Sequence, residues 1–174
     1  MGFLTGHSRG NNGANPLADA NAASGDNAAM PASPCNIAAS LPRLARERPD
    51  QVAIRCPGGG GGYDHALTYA QLDARSDAIA AGLVRYGIVR SSRCVVMVRP
   101  TPEFFLLMFA LFKAGAVPVL VDPGIDKRAL KQCLDEAQPE AFIGIPLAHL
   151  ARVLLGWSRS ATRLVTVGRR YGWG

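Results

Sequence analysis

The residues of this 174-residue chain whose types can do chemistry are its cysteines, its histidines, one run of glycines and the polar residues that follow apolar runs. Cys35, Cys56, Cys94 and Cys133 stand far apart and none forms C-x-x-C, so neither a zinc knuckle nor a thioredoxin-like redox pair is spelled out. They read as buried free thiols in a reducing compartment. His7 lies near the start, His65 follows the glycine run, and His149 sits between Leu147 and Leu150 on an expected helix. None has a Cys, Asp or Glu partner at metal-ligand spacing, and neither H-E-x-x-H nor G-x-S-x-G occurs. All three histidines are expected to be structural or exposed.

The glycine run, Cys56 to Asp64 (CPGGGGGYD), invites a phosphate-binding reading, because backbone amides can surround a phosphate only where side chains are absent. A P-loop ends in Gly-Lys-Ser/Thr, however, and G-x-G-x-x-G fails where Tyr63 occupies the last glycine position. A flexible link between two strands is the expectation. Arg99 and Asp122 each follow an apolar run of strand length, the place where open α/β sheets bind ligands. Asp122 resembles a ribose-binding acid only if a glycine fingerprint precedes it. None does, so it is expected to form a turn with Pro123 and Gly124.

The elements that would position these residues alternate. An apolar pattern through Ile37, Leu41 and Leu44 suggests a helix ending at Pro49, followed by a short strand at residues 51–55. Thr68 and Gln71 spell a capping box, Leu67 can staple onto Leu72, and Gly87 supplies a left-handed stop. The inner face of that helix is expected to carry Leu72, Ile79, Leu83 and Tyr86, with Asp73, Arg75 and Asp77 solvated. Residues 94–98 read as a strand buried on both faces, and Thr101, Pro102 and Glu103 open a helix that is apolar nearly all round. Pro118 assigns residues 117–121 to a strand start or a sheet edge. Asp126 caps a helix whose Leu130, Cys133, Leu134 and Ala137 share one face, and residues 141–145 and 164–167 add strands around a helix from about residue 147 to 157. The fold class is therefore α/β, a mainly parallel sheet flanked by helices with right-handed crossovers.

Composition excludes other classes. Residues 1–34 carry few large apolar side chains and are expected to form a disordered tail, leaving 35–174 as the folded part. The net charge of +6 comes from arginines dispersed along the chain, which argues against a nucleic-acid stripe. The apolar stretch 104–121 is interrupted by Lys113, Gly115 and Pro118, so an integral membrane span is not expected, and the start lacks a secretory signal. A cytoplasmic protein follows. The residues themselves nominate no catalytic, cofactor-binding or metal-binding site.

Three stretches in order, LTYAQL at residues 67–72, RSDAIAAGL at 75–83 and LFKAGAVPVLVDPG at 111–124, resemble the N-terminal subdomain of the adenylate-forming AMP-binding synthetase superfamily. The run VDPGIDKRALKQ at residues 121–132 is similar to bacterial olefin β-lactone synthetases. The resemblance implies a partial N-terminal subdomain of an ATP- and Mg²⁺-dependent acid ligase that converts a 2-alkyl-3-hydroxy fatty acid to a β-lactone, releasing AMP and diphosphate. The superfamily's phosphate loop ending in Pro-Lys-Gly and its Thr-Glu pair are absent from this sequence. The resemblance therefore carries over no catalytic residue, and implies an inactive piece binding neither ATP nor Mg²⁺ whose partner is the remainder of the ligase. The alternative is a non-catalytic binding or scaffold module that keeps the subdomain fold.

Overall fold

The computed structural model describes residues 36–57, 62–121 and 124–168. The expected tail, Cys35, His7, most of the glycine run and Asp122 lie outside the described residues.

The chain builds two sheets separated by a pair of helices. A 3-10 turn (Ile37–Ser40), opened by Asn36 Oδ1 accepting from the Ala38 amide, runs into helix α1 (Leu41–Glu47). Strands β1 (Val52–Cys56) and β2 (His65–Thr68) then pair antiparallel, so the glycine run does join two strands. Helix α2 (Tyr69–Arg85) begins with the full capping box: the Thr68 hydroxyl accepts from the Gln71 amide at 3.3 Å, and Gln71 Oε1 accepts from the Thr68 amide at 3.1 Å. Leu67 and Leu72 are buried in one cluster, as a hydrophobic staple requires.

Strand β3 (Arg93–Met97), helix α3 (Pro102–Ala114), β4 (Val117–Leu120), α4 (Lys127–Ala137), β5 (Ala141–Gly144), α5 (Pro146–Leu155) and β6 (Arg163–Thr166) follow in strict alternation. The four strands form a wholly parallel sheet in the order β4-β3-β5-β6. One face packs Cys94, Val96, Ala141 and Ile143 against Leu83 of α2 and Leu107 and Leu111 of α3. The other packs Val95 and Phe142 against Leu130 and Leu134 of α4 and against Trp157. Because β3 and β5 are covered on both sides, they read as continuous apolar runs rather than alternating ones. Pro118 lies in the edge strand. The Val117 amide donates to Ser92 O at 2.9 Å, so Pro118 faces the open side, where a missing donor breaks no ladder bond.

Helix α3 is apolar on all sides because both sides are covered. Leu107, Ala110 and Leu111 meet the parallel sheet, while Leu106 and Phe109 meet Leu41, Leu67 and Leu72 beneath the β1–β2 hairpin. It ends at Gly115, whose φ of +70° is left-handed; a Cβ there would also meet Arg90 Cγ at 3.2 Å.

Several expectations are corrected. Tyr86 does not face inward: it is 52% exposed at the end of α2, where its hydroxyl donates to Leu164 O at 3.3 Å, and Ser76 and Ala80 complete the buried stripe instead. Asp73 and Asp77 are not both free charges. They clasp Lys113 of α3 at 2.6 and 2.7 Å, and Lys113 also donates to Asp73 O at 3.0 Å, which fixes α2 against α3. The Thr101 hydroxyl caps no amide; it bonds the Glu103 carboxylate and, with the Glu103 amide and nearby Arg75 and His65, holds that carboxyl below its usual range. Cys133 is exposed, because only Leu130 and Leu134 form the buried stripe of α4. Cys56 and Cys94 are buried as expected.

Two outcomes follow. Asp73, whose side chain is 19% exposed, should cost about 1–3 kcal/mol when changed to Ala by leaving Lys113 half-paired, and Asp77→Ala less than about 1 kcal/mol, since Asp77 is 63% exposed; urea unfolding measures both. Burial, aided by the Glu140 carboxylate and opposed by Arg163, pushes the Cys94 thiol up to about 11. A folded-state value raised above the unfolded one leaves stability intact below the ordinary thiol value of 9.0 and erodes it as pH climbs towards 11. Melting temperatures across that window should fall less steeply for Cys94→Ala than for the parent chain, and among the described thiols a disulfide reagent should label Cys133 before Cys56 or Cys94.

Candidate functional site

The order β4-β3-β5-β6 means that the chain leaves β3 through α3 on one face of the sheet and leaves β5 through α5 on the other. The two adjacent strands thus send their connections apart, which opens a crevice at their carboxyl ends, the topological switch point of an open α/β sheet. Two local features hold it. The Ile145 amide donates to Met97 O at 3.1 Å, tying the strand ends together. At Gly144 a Cβ would meet Phe142 Cε1 at 2.9 Å and Ala148 Cβ at 3.0 Å, so a side chain there would crowd the Phe142 ring and the first turn of α5.

The crevice is a cavity of about 700 Å³. Its floor is Val96 and Met97; one wall comes from Val98, Arg99, Pro100 and Phe104, a second from Leu120, Val121, Ile125 and Leu130, and a third from Ile145, Leu147, Ala148, Ala151 and Trp157. Arg99 is the one ionisable side chain among them. Exposed at the rim, its guanidinium has no hydrogen bond or ion pair to another described residue.

Of the residues singled out from sequence, Arg99 alone is described at this site. The switch point explains why: the rule about strand ends applied, but which strand ends adjoin is set by topology. Leu120, Ala148 and Trp157 carry no sequence signal of their own, since a groove wall and a core face look alike in an apolar pattern. His149 lies buried in the fold. It is 9% exposed, its Nε2 lies 3.0 Å from Val165 O and must donate there, and its ring meets Phe142 edge-on at 5.1 Å. Cys56 pairs across the hairpin with exposed His65, but burial and the Glu103 carboxylate push its thiol up, the reverse of an activated nucleophile.

ATP and Mg²⁺, which the resemblance implies for the whole ligase, do not fit the described residues. Among the described residues the groove lining holds no carboxylate and no cluster of glycine amides, and no three His, Cys, Asp or Glu side chains converge. No described helix is long and apolar enough to cross a membrane.

Beside the groove, α5 turns an apolar face outward: Leu147 is 65% exposed, Val153 60% and Leu154 74%. Such a patch is wider than isolated surface leucines require. A hydrophobic dye such as ANS should bind the chain, and Val153→Lys with Leu154→Glu should remove most of that signal while shifting stability by no more than about 0.5 kcal/mol, as thermal melts would show.

Comparison with known proteins agrees with this architecture. Residues 41–168 match the AMP-binding enzyme family model. The chain is 77% identical over 155 residues to the olefin β-lactone synthetase of Xanthomonas campestris, covering 86% of this chain and 28% of that protein. Similarity to the 2,3-dihydroxybenzoate-AMP ligase of Bacillus subtilis is 35% over 109 residues, covering 59% of this chain and 19% of that protein. Among solved structures, the Mycobacterium tuberculosis fatty acyl CoA synthetase superposes with a TM-score of 0.64 at 23% identity, over 76% of this chain and 26% of that one. The Klebsiella oxytoca NpsA N-terminal subdomain superposes with a TM-score of 0.61 at 21% identity, over 75% of this chain and 30% of that one, and these two likenesses bear on the fold alone. The parallel sheet, the switch-point crevice and the matched span together establish that this chain belongs to the AMP-binding enzyme family.

Proposed function

We propose that residues 35–174 are part of the N-terminal subdomain of an acyl-adenylate-forming ligase of the olefin β-lactone synthetase type, preceded by a tail at residues 1–34. The observation that carries this reading is the 77% identity across 86% of the chain. The whole ligase would join the carboxylate of a 2-alkyl-3-hydroxy fatty acid to AMP, releasing diphosphate. The hydroxyl oxygen would then attack the acyl carbon, the bond to AMP would break, and the hydroxyl proton would leave as the β-lactone closes. ATP would supply the AMP in that first step, and Mg²⁺ would offset the negative charge of its phosphates.

The described residues supply none of that charge neutralisation, so the chain alone is inactive and works as scaffold. Its contribution is a rigid sheet whose switch point opens beside Arg99. The apolar outer face of α5 is the surface that the remainder of the ligase covers, since an uncovered patch of this kind favours association. Neither a nucleic acid nor an integral membrane partner enters this reading, which places the enzyme in the cytoplasm.

A chimera tests it. Residues 36–168 should replace the matching part of the Xanthomonas campestris relative with AMP release, from ATP and a 2-alkyl-3-hydroxy acid, kept within about tenfold of that relative; the 174-residue chain alone should release none. A folded chimera that releases no AMP, or turnover by the chain alone, contradicts the proposal.

A further inference from the structure

We propose that the outer face of α5 pairs with the same face of a second copy, so that the free chain is a reversible two-fold dimer. The inference goes beyond the reading above. There the remainder of the ligase covers α5; a second copy holds the same surface for as long as the remainder does not, which makes the two assemblies mutually exclusive.

Three observations converge. Leu147, Leu150 and Leu154 recur at i, i+3 and i+7, which lines one side of the helix with an apolar ridge, and Val153 stands beside them. All four are exposed. The ridge also carries no charge. Arg152 is the one Lys, Arg, Asp or Glu of α5, and it turns inward: its guanidinium lies 5.8 Å from the centre of the Phe142 ring and its Nε is buried, while His149 meets the same ring. Two copies therefore meet without like-charge repulsion and without stripping water from an ion. The size, finally, suits a weak dimer. With Leu155, the ridge offers roughly 500 Å² per copy, and pairing removes about 1,000 Å², the lower end of specific interfaces. An antiparallel crossing centred near Leu150 sets Leu147 of one copy against Leu154 of the other and opposes the two helix dipoles. Arg159 folds back on Gly156 at the end of α5, so the crossing keeps its two copies at opposite ends. The patch is used up in the pairing, and association stops at two.

The test is analytical ultracentrifugation of the 174-residue chain over a concentration series. A reversible monomer–dimer equilibrium is expected, with a dissociation constant of about 10–100 μM, and ANS fluorescence per chain should fall as the dimer forms. Two double variants probe the ridge. Leu147→Glu with Leu154→Glu, and Leu147→Lys with Leu154→Lys, should each weaken self-association about tenfold or more while keeping the parent melting temperature in dilute solution, because both positions are exposed. Mixed in equal amounts they should pair again, since the crossing sets each Glu against a Lys. Val84→Glu, at an exposed apolar position on α2, should dimerise as the parent chain does.

A chain that stays monomeric throughout the series overturns the inference, as does growth past the dimer into larger aggregates. So do ridge variants that still dimerise, a mixture that fails to pair, or an equal loss in the Val84→Glu chain. The chimera's AMP release separates the two proposals. A monomeric parent chain beside an active chimera sinks the dimer alone, whereas a dimer beside a folded chimera that releases no AMP sinks the ligase reading alone.

Discussion

Burial of α3 on two opposite sides is the constraint from which the rest of the fold follows. A helix carrying Phe104, Leu106, Leu107, Phe109 and Leu111 has no side it can show to water, and each fully buried Leu or Phe contributes about 1.5–3 kcal/mol. One sheet cannot satisfy it. The parallel sheet takes Leu107 and Leu111, and a second, smaller sheet with α1 must exist to take Leu106 and Phe109. The antiparallel hairpin is therefore a lid over α3 and not an extension of the main sheet.

That arrangement makes the polar contacts legible as alignment devices. Lys113 enters from the end of α3 and meets two carboxylates one turn apart on α2, so sliding either helix along the other would break a charged contact that is partly shielded from water. Hydrophobic burial holds the two helices together but specifies their register poorly. The lysine supplies what burial lacks. At the amino ends of the strands, Ser92 Oγ donates to Glu140 Oε2 at 3.2 Å and Arg93 Nε donates to Gln138 O at 3.0 Å, fixing the β3 and β5 starts side by side.

Much of the fold was readable because its signals are local. The Thr68–Gln71 box, Asp126 as a cap, Gly87 as a stop and Pro118 at an edge each depend on chemistry within a few residues, and each stands where the sequence placed it. What failed depended on distant residues. Tyr86 sits in phase with Leu72, Ile79 and Leu83, yet its partner is a carbonyl 78 residues away. Asp73 and Asp77 looked solvated because Lys113 lies 40 and 36 residues further on. Cys133 has the spacing of a buried residue on α4, but the stripe that this short helix buries is only two leucines wide. The candidate site was legible only as Arg99. Its other walls come from segments that adjoin because β4 and β5 flank β3, an order that no local pattern encodes.

The groove divides its lining into two populations with different freedom to change. Val96 and Leu130 are 3% and 8% exposed and belong at once to the cavity wall and to the packed cores on the two faces of the sheet, so resizing either one disturbs the fold. Leu120, Leu147 and Arg99 line the same space but are exposed to solvent, where substitution costs little. Selection can therefore retune what the rim admits while leaving the floor untouched. Mutational tolerance and chemical selectivity coincide on one ring of residues, a division of labour that lets one architecture diversify its preferences without being rebuilt.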